Sequence, residues 1–430
     1  MFLLLLACAS SFSGFTVAPL ETMPTVLEVF WENTGADAAW VEYGDGQRAE
    51  PEADSPEGQY RILVPGFPQG TEVKLQPMER WGDEEVASRV EDAETGYLPS
   101  GLPLVELTED NAREIDDGWL LTTALGEKHG VMVLNREGEI VWYLPMGVNL
   151  VAPDVEPLRG GKGFVVFTSA ADHVSDLGEL QIFGYDGLLI QKIRAQGGHH
   201  MFEQPAPGLF AFLSLDLREV EGQTEPVVGD SIRLVDQQGN DNLLFTVWDY
   251  FTFDPNFDSG NFYPDGLDWM HANGLHWSES RQTLMASYRM FDSVVEVDFT
   301  SGQPVDMYGR LGERPFSPVG SNFLSQHAPS WTPDGDLMVF DNREPFTEGS
   351  SRAAEYAVGD ALELVWEHAP LPGTVVTTLG DAKRLPNGNT LMSFGSSGGW
   401  QEVNPEGEVV WQVLGGAGVL SGNVAWMESW

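Results

Sequence analysis

The sequence is poor in cysteine, in cations and in long helix-forming stretches, and each shortage excludes something. A single cysteine, Cys8, stands among 430 residues, so no intrachain disulfide can staple the fold and a domain of this size must rely on its core. Only 22 Lys and Arg oppose 66 Asp and Glu, a formal net charge of -44. The phosphate backbone of a nucleic acid would be repelled by such a body, which argues against nucleic-acid partners. The excess suits the solvated surface of an exported protein, and an anionic substrate would require a local cationic pocket within it. Long Ala, Leu, Glu and Lys stretches are missing too. What is abundant instead is 48 Gly, 27 Pro and 14 Trp, with 42% hydrophobic residues, a balance that predicts many short strands and an all-β fold.

The one conspicuous apolar run opens the chain, Met1 to Ala7, and Cys8 closes it. Leu5-Leu6-Ala7-Cys8 resembles a bacterial lipobox, which implies a signal peptide over residues 1–8 and lipidation of Cys8. Ala9 after the cysteine suggests by the same resemblance the outer membrane of a Gram-negative cell, with attachment through the lipid only. The run is too short to span a bilayer and lacks a positively charged start; a misassigned start or a buried N-terminal strand are the other readings. No other segment reads as transmembrane.

Residues 9–22 read as a linker and 23–98 as a small β-sandwich. In the latter Leu27, Val29 and Trp31 alternate with Glu28 and Glu32, and Gly44-Asp45-Gly46 and Pro68-Gln69-Gly70 punctuate further alternating runs. Thr25 to Gly44 resembles fibronectin-type modules that precede catalytic domains in exported enzymes, the basis for a fibronectin/Ig-like expectation. From Glu106 onward the sequence repeats itself, and repeats decide a fold more firmly than local propensity. One half of the unit is a turn followed by an apolar strand, as in Pro333-Asp334-Gly335-Asp336-Leu337-Met338-Val339-Phe340 and Leu385-Pro386-Asn387-Gly388-Asn389-Thr390-Leu391-Met392-Ser393. The other is a strand, a hairpin and a second strand, as in Val133 to Trp142, Val297 to Gly302 and Val403 to Trp411. Such a sheet cannot bury both faces alone. Six first-half matches, starting near Trp119, Phe164, Leu209, Thr283, Leu337 and Thr390, recur at intervals of roughly 45 to 70 residues and predict a six-bladed β-propeller over 99–430.

Only eight histidines occur, and four fall in the middle of the repeats where strands meet polar loops. His199 and His200 are adjacent, so on a regular strand they face opposite ways and at most one enters a given pocket. His271 lies in Asp268-Trp269-Met270-His271-Ala272-Asn273, and the next strand ends on Tyr288-Arg289. Guanidinium offers five fixed donors, a natural partner for a tetrahedral oxyanion. His327 follows Gln326 at the entrance of another strand. Three imidazoles on separate blades would also suit a metal ion, but further ligands cannot be assigned from spacing, and no metal or cofactor is expected. The insertion from Trp248 to Tyr263 is dense in aromatics that either stack on an aryl group or pin a long loop.

These residues carry a resemblance. The region from about Pro99 to Trp411 resembles the bacterial arylsulfotransferase family through the His199-His200 pair, the Asp268-to-Asn273 stretch with Arg289, the Gln326-His327 pair with Pro333-Asp334-Gly335 and Asp341-Asn342, and Leu385-to-Thr390. The resemblance implies a six-bladed propeller that moves sulfuryl groups between aryl sulfates and phenols without a nucleotide sulfate donor. It implies His327 as the nucleophile that becomes sulfated, with His271, Arg289 and one of His199 or His200 holding sulfate oxygens, and two half-reactions in one pocket. Trp248, Tyr250, Phe253, Tyr263, Trp269 and Asn273 are the candidates to contact the aryl groups. A non-catalytic surface propeller that binds a protein or glycan, or a sulfate or phosphate ester hydrolase using the same pocket, are the competing readings. Some members carry a disulfide near the site, which this chain cannot form. Oligomeric state is open.

Overall fold

The computed structural model describes residues 12–430 apart from 34, 45, 112, 116–117, 127–128, 148–149, 171–177, 256–261, 264–265, 344–349 and 371–374. Cys8 and the expected signal peptide lie outside the described residues. Those described form strands throughout, interrupted by three short 3-10 turns and no α-helix, so none offers a helix long and apolar enough to cross a membrane.

Near the N-terminus two small sheets share one core. The first orders Thr16–Pro19, Leu27–Glu32 and Gln59–Val64; the second orders Gln47–Ala49, Ala38–Tyr43, Glu72–Trp81 and Glu84–Ala87, with Glu91–Glu94 also paired to Glu72–Trp81. The period-two pattern does what alternation requires: Leu27, Val29 and Trp31 are buried against Val41, Ile62 and Leu75, while Glu32 is exposed. Residues 16–19, expected in a linker, instead form an edge strand, because Val17 pairs with Val29 and packs on this core. The unit is tied to the rest of the chain by Arg61 to Asp186, 3.0 Å, and Lys162 to Glu52, 3.1 Å.

The remaining strands make six largely antiparallel sheets. Their innermost strands, in sheet order, are Val419–Met427, Leu150–Pro157, Gly198–Ala206, Ala272–Ser278, His327–Trp331 and Asp381–Arg384. Each packs against the next in that order, and Asp381–Arg384 packs in turn against Val419–Met427. This is a propeller-like β arrangement. Trp119, Phe164, Leu209, Thr283, Leu337 and Thr390 each open the second strand of one sheet, so the sequence repeat and the structural repeat share one register. The two ends of the repeat region interlock: Val105–Asp110 is the outermost strand of the sixth sheet, and Val419–Met427 the innermost of the first.

Between the sheets, runs such as Phe164-Val165-Val166-Phe167 are fully buried on both faces, as strands covered on two sides must be. Each such side chain contributes about 1.5–3 kcal/mol on leaving water. The glycine of the Val297-to-Gly302 hairpin is required at its position. Gly302 has φ +68°, and a Cβ there would lie 2.1 Å from the carbonyl oxygen of Leu244 in the neighbouring sheet.

Candidate active site

The innermost strands start at a common end, and there the sequence places its chemistry. His199 and His200 open the Gly198–Ala206 strand, His271 precedes Ala272–Ser278, His327 opens His327–Trp331, and Gly380 precedes Asp381–Arg384. The pairing register slips between His199 and Phe202, between Ala272 and Gly274, and between His327 and Ser330. Such bulges re-aim side chains. Left-handed backbone accompanies them, at His200 (φ +56°) and Ala328 (φ +43°) within two of the slips and at His271 (φ +53°) just before the third, at a cost of order 1–3 kcal/mol each.

The bulge corrects the expectation drawn from alternation for the adjacent histidines. Their side chains do not diverge: His199 Nδ1 lies 2.9 Å from His200 Nδ1, with ring centroids 5.1 Å apart. His200 continues to within 5.1 Å of the His271 ring and 6.0 Å of the His327 ring. A cavity of about 270 Å³ is lined by His200, His271, Arg289 and His327, with Phe262, Tyr263, Asn273, Thr378 and Leu379 completing the wall. Arg289 is the only Lys or Arg among them, the cationic spot an anionic ligand needs in so acidic a protein.

Each polar group is held by a specific partner. His271 Nδ1 lies 2.7 Å from Asp268 Oδ2, and its ring stacks on Tyr263 at 5.4 Å. The Arg289 backbone N–H donates to the His271 carbonyl, its Nη1 donates to the Ser325 carbonyl at 3.1 Å, and its guanidinium sits 5.4 Å from the Phe262 ring centre. Asn273 Nδ2 donates to the Gln326 carbonyl. The Gln326 side chain in turn donates to Ser287 Oγ, the Tyr288 carbonyl and the Ser293 carbonyl, which clamps the backbone that delivers His327.

His327 has the most telling environment. Its Nδ1 lies 2.8 Å from the Gly380 carbonyl oxygen, which can only accept, so Nδ1 carries the proton. The other nitrogen, Nε2, therefore bears a lone pair. It is buried and has no hydrogen-bond partner among the described residues. Burial pushes the ring's pKa down to about 3, against the Gly380 hydrogen bond, and the nearby Arg289 and His271 push the same way as burial. His327 is thus a neutral imidazole with its nucleophilic nitrogen desolvated and oriented.

The aromatic candidates divide. Tyr263 and Asn273 line the cavity. Trp248, Tyr250, Phe253 and Trp269 do not: Trp248 packs on Trp269 at 4.8 Å and donates its indole N–H to the Asp216 carbonyl, Phe253 meets Trp269 edge-on at 5.6 Å, and Tyr250 stacks on Phe245. They pin the loop, the other reading of the insertion. Phe262, part of the aromatic insertion, was not singled out within it, and Thr378, Leu379 and Gly380 escaped the sequence reading. The last three precede the sixth sheet's inner strand at the place that His271 takes before the fourth, so the repeat register was the signal that would have found them. Among the described residues, no group of three or more His, Cys, Asp or Glu is arranged to hold a metal ion.

Comparison with solved structures gives distant likenesses. A Bacteroides caccae protein of unknown function matches at 13% identity over 73% of this chain and all of its own (TM-score 0.45). A chain of a nidogen/laminin complex matches at 10% over 71% and 97% (TM-score 0.45), and Kuenenia stuttgartiensis hydrazine synthase at 11% over 79% and 96% (TM-score 0.37). At such scores they carry no functional information. No curated protein matches the chain. The arylsulfotransferase (ASST) family model, however, matches residues 104–411, a span that holds all six sheets' second strands and every polar group of the cavity, and the chain belongs to that family.

Proposed function

We propose that this protein transfers a sulfuryl group from an aryl sulfate to a phenol, without a nucleotide donor, through a sulfohistidine at His327. The observation that carries the reading is the His327 ring, neutral, its Nδ1–H tied to Gly380 and its Nε2 buried without a hydrogen-bond partner among the described residues, in a wall shared with Arg289 and His271. In the first half-reaction His327 Nε2 attacks sulfur; the N–S bond forms while the S–O bond to the phenolate breaks. Negative charge spreads over the three sulfuryl oxygens, and Arg289 and His271 stand where fixed donors lower the barrier. The sulfated ring is cationic, and its Nδ1–H then donates more strongly to Gly380. In the second half-reaction a phenol oxygen takes the sulfuryl group and restores neutral His327. Shared use of one pocket gives ping-pong kinetics. Phe262 and Tyr263 offer rings to the aryl portions of donor and acceptor.

The wider molecule fits the same picture. The six sheets are read as six blades of a closed ring, supported by the packing of Asp381–Arg384 on Val419–Met427, with the N-terminal unit as a fibronectin-like brace. Export and lipid attachment at Cys8 are part of the proposal. Metabolic labelling with a fatty acid that disappears in Cys8→Ser supports the anchor; an unlabelled parent protein rules it out.

The central test incubates a chromogenic aryl sulfate with and without added phenol. Phenol-dependent release and a sulfated phenol product, both lost in His327→Ala, are expected. Equal turnover by the two proteins removes His327 from the chemistry; release indifferent to phenol makes the enzyme a hydrolase.

A further inference from the structure

The transfer needs one proton to leave and return: the departing phenolate takes one, the incoming phenol gives one up. Resting on the sulfotransferase reading above, we infer that His200 is the general acid of the first half-reaction and the general base of the second, and that the buried His199–Asp230 pair stores its proton from one turnover to the next. Three contacts place this relay. His200 lines the cavity between His271 and His327. Its Nδ1 lies 2.9 Å from His199 Nδ1, so one proton sits between the two rings. On the far side His199 Nε2 lies 3.2 Å from Asp230 Oδ1, within ion-pair distance though off the line of a hydrogen bond. Asp230 is itself held by the Ala272 backbone N–H at 3.0 Å, and the Tyr263 hydroxyl lies 3.4 Å from His199 Nδ1.

The proton count closes. Before the first half-reaction His199 carries protons on both nitrogens and faces Asp230, while neutral His200 accepts at Nδ1 and carries its proton on Nε2. As the S–O bond breaks, Nε2–H of His200 passes to the phenolate oxygen and the Nδ1 proton of His199 crosses to His200 Nδ1. Both rings end neutral, His199 with its proton on Nε2 toward Asp230, His200 with a lone pair on Nε2. That lone pair takes the proton of the incoming phenol as its oxygen attacks sulfur, and the Nδ1 proton returns to His199. His271 is paired directly with the carboxylate of Asp268 and not with a second imidazole, and is assigned to the sulfate oxygens.

The two bulged residues also gain a purpose. A regular strand would send His199 and His200 to opposite faces; the left-handed His200 is what lets one ring touch the other.

The test is the dependence of the first half-reaction on the donor's leaving group, measured in single turnovers with a series of aryl sulfates from nitrophenyl to alkylphenyl. A general acid matters most where the phenolate is a strong base. His200→Asn is expected to lose about 10²–10⁴-fold with alkylphenyl donors and less than about tenfold with nitrophenyl ones. His199→Gln, which still donates a hydrogen bond to His200 but stores no proton, should steepen the same plot to a smaller degree, with unchanged thermal melting. Losses equal across the whole series, in either variant, would overturn the relay and leave the pair a structural one. Absence of phenol sulfation in the parent protein would instead overturn the sulfotransferase reading.

Discussion

The imidazole Nδ1–H of His327 donates to the carbonyl oxygen of Gly380 across 2.8 Å, linking the fifth sheet's inner strand to the turn before the sixth. Gly380 has φ +97°, and a Cβ on it would lie 2.4 Å from the Phe340 ring. Gly380→Ala is therefore expected to shift the carbonyl and free His327 to rotate, lowering kcat by about 10–100-fold, in the range that small misplacements cost. Steady-state kinetics beside thermal melting would check it; a variant with full kcat would show that orienting His327 through this hydrogen bond does not matter to turnover.

Replacing His327, the proposed nucleophile, should be far more severe. His327→Gln is expected to reduce transfer by at least about 10³-fold, as removal of an attacking group does elsewhere. Intact-protein mass spectrometry after mixing with donor alone should find one added SO₃ on the parent protein and none on the variant.

Acid should act on His327 through stability. Its pKa is lowered from 6.5 to about 3 by burial, so below pH 6.5 the unfolded chain binds a proton that the folded chain refuses. The folded state accordingly loses stability as pH falls from about 6.5 toward 3, by about 1.4 kcal/mol per pH unit for this one group. Buried Glu156, raised to about 7, works in the opposite sense: its protonated form is favoured by folding, and that contribution fades as pH rises through 7. The clean measurement is the difference between parent and His327→Gln in denaturant unfolding at pH 7 and pH 5. The variant should lose less on acidification, by about 1–2 kcal/mol; parallel losses would mean that His327 is protonated in the folded protein.

Arg289→Lys keeps the charge and removes the fork that binds two oxygens at once. The Nη1 donor to the Ser325 carbonyl is lost with it. The expected loss is about 10–100-fold in kcat/KM, larger in kcat than in KM if the guanidinium grips the transition state more than the bound ester. A change confined to KM would assign it to ground-state binding.

The aromatic insertion predicts a split between function and stability. Phe262→Ala, at the cavity wall and 41% exposed, should raise KM for aryl donors with little change in melting. Trp269→Ala, buried beneath Trp248 and Phe253, should cost about 3–5 kcal/mol of stability. Urea unfolding and donor titration on the two variants would distinguish these outcomes.

Much of this was legible in the residues, for physical reasons. Hairpin glycines and apolar triplets recur because every sheet solves the same packing problem, so the six strand starts could be read directly. His271, Arg289 and His327 stood out because imidazole and guanidinium are scarce in this chain. Of the adjacent histidines only His200 lines the cavity, as alternation allows, but the contact between their rings was hidden because a bulge is a backbone event that no side-chain pattern announces. Trp248 and Trp269 could not be told from Phe262, since a ring that packs a loop and a ring that faces a substrate have the same composition. Gly380 contributes a carbonyl, which every residue has, and so left no mark in the sequence at all.

The pairing of Trp119–Gly126 with Val419–Met427 also bears on how the polypeptide matures. Residues near position 120 must wait, unpaired along one edge, until a segment some three hundred positions later has been synthesised and delivered. Contacts of such long sequence separation make assembly slow, and an open edge meanwhile invites the wrong partner. The first sheet is thus completed last, and in that interval a heavy surplus of carboxylates that keeps partly folded molecules apart is of most use.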